Sequence, residues 1–157
     1  MKYNYLNIYN NLIKLTRNKK LYIKLEKKDT FSERLTILFF HFGFFLKIYK
    51  FDISKKEKQS IFDHVIIQIE LSIREIGYGD ISVNKKMKQY INLFYSVIEK
   101  VEYWDTYNNS KKMLLISNYL HIEKNLLFFV DYFEKYLTFL SKNSLNMFSK
   151  DILDLKF

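Results

Sequence analysis

The chain has 157 residues, 48% hydrophobic and 27% charged, a balance that suits a folded domain with a real core and excludes disorder. Cysteine is absent, which excludes disulfides, thiol catalysis and cysteine-ligated zinc or iron–sulfur centres. The net charge of +9 sits mostly at one end: residues 1–28 carry eight Lys/Arg against Glu26 alone, whereas residues 29–110 hold eleven of each sign.

Proline is also absent and only three glycines occur, so few backbone breakers interrupt the chain. In the first segment Tyr5, Ile8, Tyr9, Leu12 and Ile13 fall at helix spacing, with Lys14, Arg17, Lys19 and Lys20 beside and behind them. Residues 1–28 therefore read as a basic amphipathic segment suited to anionic lipid headgroups, RNA or a ribosome surface, with salt-sensitive strength. The same lysines equally suit a solvated helix face. Asn and Tyr interrupt Met1–Leu15, so no secretory signal is expected there.

Thr30 and Glu33 form a capping box that opens a helix of about 20 residues. Its stripe of Leu35, Leu38, Phe39, Phe42, Phe45, Leu46 and Tyr49 is matched on the other side by Ile37, Phe40, Phe44 and Ile48. A helix apolar all round belongs in the centre of a core, and the run is too short to cross a bilayer. Ser54 and Glu57 repeat the box and start a third long helix, with Phe62, Val65, Ile66, Ile69, Ile73 and Ile76 as its buried face and Glu70–Arg74 as an i,i+4 ion pair. Gly77 is placed to end that helix in a left-handed turn, and Asp80 or Ser82 to cap the next. That next helix has Met87, Ile91, Phe94, Tyr95 and Ile98 as its stripe.

Trp104–Ser110 reads as a polar connection, followed by a short helix over Lys111–Leu120. A last strong helix over Glu123–Leu140 carries two stripes, Leu126, Val130, Phe133, Leu137 and Leu140 on one and Phe129, Tyr132, Tyr136 and Phe139 on the other. Burial is the favoured reading of both; a partner-facing surface is the other. From Ser141 onward the pattern weakens, and fraying or loose packing is expected. No strand-like alternation persists. The expectation is an all-α fold, one compact domain over 1–157 of about six to seven helices.

Residues 59–95 are more specific. Gln59-Ser60-Ile61-Phe62-Asp63 precedes Ile73-Arg74-Glu75-Ile76-Gly77-Tyr78-Gly79-Asp80, then Val83-Asn84-Lys85-Lys86-Met87-Lys88 and Phe94-Tyr95. Upstream stand Leu21-Tyr22, Asp29-Thr30, Arg34 and, seven residues later, His41. Together these resemble the ubiquinol–cytochrome c chaperone family over about residues 20–100. Asn84 replaces a frequent proline of the family, Ser96-Val97 its Gly-Arg, and Ser32-Glu33 its Asp-Gly.

The resemblance implies a non-enzymatic chaperone without a cofactor that binds newly synthesised cytochrome b and supports assembly of the cytochrome bc1 complex, respiratory complex III. It also implies a small partner assembly factor or the ribosome as further partners. A bacterial cytoplasmic location, peripheral to the inner membrane, is expected, or the matrix side in a mitochondrion. The candidate partner surface is Arg74, Glu75, Gly77, Gly79, Asp80, Lys85, Lys86, Lys88, Phe94 and Tyr95; Asp29, Thr30, Arg34, His41, Phe62 and Asp63 are expected to be structural. Surplus aromatics on the helices from Leu35 and from Glu123 are expected to supply an apolar client groove.

Other classes find less support in the residues. His41, His64 and His121 are scattered without metal-ligand spacing. Gly77-Tyr78-Gly79 lacks the third glycine and preceding strand of a nucleotide fingerprint, and Asp63 and Glu70 suggest no shared cleft. The alternative function is a basic helical module for RNA, ribosome or anionic membrane, with no sequence-specific nucleic acid expected.

Overall fold

A computed structural model of the chain describes residues 4–27 and 30–150. Eight α-helices and no strand occur among them: α1 Tyr5–Thr16, α2 Lys19–Leu25, α3 Phe31–Tyr49, α4 Lys55–Ile76, α5 Asp80–Glu102, α6 Asn109–Leu120, α7 Leu126–Lys142 and the single turn α8 Leu145–Phe148. The all-α expectation is met.

The helices start where short polar side chains can take up free N–H groups. Thr30 Oγ1 accepts from the Glu33 N–H, and Ser54 Oγ accepts from the Glu57 N–H at 3.1 Å while donating to its carboxylate at 3.2 Å. Gly77 ends α4 at φ +107°, a conformation that costs a residue with a Cβ about 1–2 kcal/mol. Neither Asp80 nor Ser82 caps α5; Gly79 stands at its N-cap and Asp80 is its first residue.

The centre is α3, held against α5, α1 and α7. All of its residues from Leu35 to Leu46 are buried, as an all-round apolar helix requires. Its approach to α5 is close at Gly43, where an added Cβ would lie 3.7 Å from Val97 and Val101. Phe40 and Phe44 pack on Phe133 of α7 with ring centroids 5.3 Å apart in each case, and Phe42 stacks on Phe94 of α5 at 5.1 Å.

Four expectations need correction. The aromatics of α3 from Phe39 to Phe45 and the buried ones of α7 form no groove, because they fill the space between α3 and the helices α5, α7 and α8. On α4 the buried line is Ile61, Val65, Ile69 and Ile73; Ile76 is 53% exposed, because α1 and α5 cover α4 along a slightly different line from the one its hydrophobic spacing draws. Trp104–Ser110 is not a plain polar connection: Trp104 opens a 3-10 turn, is fully buried against Phe44 and donates its indole N–H to Glu134 at 3.1 Å. The stretch to Lys150 is tied down, with Leu145 and Phe148 buried and Asn11 of α1 donating to the carbonyls of Phe148 and Lys150.

Candidate functional site

Polar groups fix the position of α1 and α2 over α3. The Tyr22 hydroxyl of α2 donates to the Thr16 carbonyl at the end of α1, 2.6 Å away. The Asn125 amide before α7 donates to the Lys24 carbonyl at 2.9 Å. Beneath them, His41 is fully buried: its Nδ1 lies 2.9 Å from the Ile37 carbonyl and its Nε2 2.6 Å from the Tyr132 hydroxyl. The carbonyl can only accept, so Nδ1 carries the proton and Nε2 accepts from Tyr132. Burial lowers the His41 pKa to about 3, partly offset by the bond to Ile37. With both nitrogens engaged, His41 is a pin between α3 and α7.

This arrangement leaves a groove of about 1090 Å³ between α1 and α2 on one side and α3 and α4 on the other. Its floor is Leu35, Leu38 and Ile69, all buried. Ile13, Tyr22 and Phe31 line its walls half-buried, and Ile23 and Ile76 stand on it 70% and 53% exposed. The charged groups on it are Arg17, Lys19 and Arg34 against Glu75. Arg17 and Glu75 act in opposite senses on the half-buried Tyr9, whose pKa is raised first by desolvation, then lowered by Arg17 and raised by Glu75. Arg17, from the basic N-terminal set, and Glu75, from the α4 set, thus both line the groove and both act on Tyr9.

The other sequence-predicted residues fall elsewhere. Arg74 lies 3.3 Å from Glu70 and 2.5 Å from Asp80, closing the α4–α5 turn on itself; these two bonds raise its pKa, with Asp80 the larger cause. The Gly77 N–H donates to the Arg74 carbonyl within the same turn. Lys86 sits over the Tyr78 ring at 4.7 Å, while Lys85, Lys88 and Tyr95 are exposed on α5. None of these lines the groove. Phe94 requires correction as a surface group: it is 1% exposed and packs on Phe39, Phe42 and Phe62.

Among the residues expected to be structural, Thr30 caps α3 and Phe62 stacks on Phe94 and Tyr95. Asp63 accepts only locally, from Gln59 at 2.7 Å. Arg34 is exposed at the groove, and Asp29 lies outside the described residues. Lys14 and Lys20 are exposed but do not line the groove. The groove residues that sequence reasoning did not assign to a site are Ile13, Tyr22, Ile23, Phe31 and Ile76, and no segment of the sequence signals their meeting, because they come from four different helices. Among the described residues no group of acidic and histidine side chains is arranged to hold a metal, and no described helix is long and apolar enough to cross a membrane.

The helices bury or half-bury most of their own aromatics and leave an apolar groove rimmed by charge. The model of the Ubiquinol-cytochrome C chaperone family matches residues 24–116, and the chain belongs to that family. The match starts just after Leu21-Tyr22, which the resemblance includes, and runs past residue 100 through the Trp104 turn and into α6. No curated protein and no solved structure matches the chain.

Proposed function

We propose that this protein is an assembly chaperone that holds newly made cytochrome b for incorporation into the cytochrome bc1 complex, respiratory complex III. The observation that carries the reading is the family match over residues 24–116, which includes the α3 and α4 walls of the groove. A client built of transmembrane helices exposes apolar surface before assembly, and a groove with buried leucines below and exposed isoleucines on its rim suits such a surface. The protein acts at the membrane face where cytochrome b is inserted, on the cytoplasmic side in a bacterium, where a basic α1–α2 region favours approach to anionic lipid or ribosome.

The test is affinity capture of the tagged chain from gently solubilised host membranes, read by mass spectrometry and by a reduced-minus-oxidised haem spectrum. Cytochrome b enriched without the other subunits of the finished complex is the expected result. Recovery of ribosomal RNA alone, or of no membrane protein, overturns it in favour of a basic binding module. Arg17, Lys19 and Lys20, which form no ion pair within the described structure, favour that second reading.

A further inference from the structure

The chaperone reading names a client but not the kind of segment the groove accepts, and three features of the groove restrict that choice. The first is shape. A volume of about 1090 Å³ corresponds to roughly two to three turns of a helix about 10 Å across. A bilayer surface is too broad to enter a concavity of this size. The most exposed apolar tips of the molecule, Phe51 and Ile81, stand outside it.

The second feature is backbone chemistry. The groove is lined by residues of helices, apart from Arg17 between α1 and α2, and no sheet edge exists among the described residues. An extended segment entering the groove finds no ladder to join, so its own N–H and C=O groups lose water without replacement. A helix carries its hydrogen bonds with it.

The third feature is charge. Among the described residues, the cations Arg17 and Lys19 face the groove, and Glu75 is the carboxylate that lines it. Some cations elsewhere, such as Lys27, Lys47, Lys50, Arg74 and Lys112, are held by a carboxylate, while exposed lysines such as Lys55, Lys85 and Lys88 form no ion pair among the described residues. Arg17 and Lys19 have no such partner among the described residues. Both belong to the part of the chain outside the family match, so this charge is not carried by the stretch that defines the family.

We propose that the groove receives an acidic amphipathic helix of a protein partner, its apolar face on Leu35, Leu38 and Ile69 and its carboxylates against Arg17 and Lys19. The inference deepens the chaperone reading and rests on it for the identity of the protein that carries the helix. Ile23 and Ile76, exposed at the rim, close over the apolar face from either side. Glu75 sets direction: the occupant's acidic flank lies toward Arg17 and Lys19, and a basic or neutral residue toward α4.

The test uses the full chain and fluorescence anisotropy. The probes are a labelled designed peptide of about five helical turns with a leucine face and glutamate flanks, the same peptide with lysine for glutamate, and phosphatidylglycerol-containing vesicles. The acidic peptide is expected to bind about tenfold more tightly than the lysine peptide, and Arg17→Glu with Lys19→Glu to reverse that preference. Ile23→Asp with Ile76→Asp should abolish binding of both peptides while the circular dichroism melting curve stays in place, since both side chains are already exposed. Equal affinity for the two peptides, affinity unmoved by the charge reversal, or association only with vesicles overturns the proposal. The membrane capture run in parallel separates the two readings. Cytochrome b recovered equally by the parent chain and the charge-reversed variant leaves the chaperone function and removes the groove assignment. Selective groove binding of the acidic peptide without recovered cytochrome b retains the groove and removes that client.

Discussion

In the centre of the molecule α3 meets α7 through Phe40, Phe44, Phe133 and Tyr136, all fully buried, and the polar groups among them are bonded. The Tyr136 hydroxyl donates to the His41 carbonyl at 2.9 Å, and His41 itself bridges Ile37 and Tyr132. At the groove the same kinds of residue are left unfinished. Ile23 and Ile76 remain in water, and Arg17 and Lys19 have no carboxylate partner among the described residues. Most of the aromatic surplus thus serves internal cohesion, while the groove proposed to hold a partner draws on a few aliphatic, basic and half-buried aromatic residues brought together by four helices.

That contrast can be broken hardest from the inside. Phe133→Ala removes a ring shared by Phe40, Phe44 and His41 and should cost about 3–5 kcal/mol, measured by urea denaturation. A loss below about 1 kcal/mol would mean that the α3–α7 interface is not the tight core described here.

Acid tests the polar part of the same interface. His41 is held neutral in the fold at a pKa of about 3, whereas an unfolded histidine takes up its proton near pH 6.5. The unfolded state therefore binds the extra proton between those values. The neutral fold has its full advantage above about pH 6.5 and loses about 1.4 kcal/mol for each unit of pH below that. His41→Gln, which cannot titrate, should show a shallower fall in stability between pH 6.5 and 4; the difference between the two profiles isolates His41 from the carboxylates that titrate in both. Parallel profiles would show that His41 does not enter the acid response.

The smallest effect on stability belongs to the groove. Ile23→Ser with Ile76→Ser should change unfolding free energy by no more than about 0.5 kcal/mol each, yet sharply reduce capture of cytochrome b. If capture survives and stability falls instead, the rim isoleucines belong to the core and the comparison between the two regions fails.

Much of the architecture was legible along the chain because its causes are local. Thr30 and Ser54 announce helix starts through side chains that reach their own backbone three residues on, and Gly77 announces a stop because the left-handed turn disfavours a Cβ. The aromatic run of α3 places that helix in the centre by its composition alone. The Arg74–Asp80 turn and its family resemblance are likewise contained in a short stretch.

The rest depended on where helices cross. Trp104, in a polar stretch, is buried because Phe44, Lys112 and Glu134 converge on it from three helices. Phe94 and Tyr95 are neighbours in sequence, yet α5 buries one and leaves the other in water. The groove has no signature in any single segment, since its walls come from residues as far apart as Tyr9 and Ile76. By itself the sequence determined the all-α class, the long helices α3, α4 and α5 with the Thr30 and Ser54 caps and the Gly77 stop, the central position of α3, and the family. The tertiary structure alone decided which apolar residues stay exposed and which charges share a groove, because burial and electrostatic pairing are set by packing between helices rather than by spacing within them.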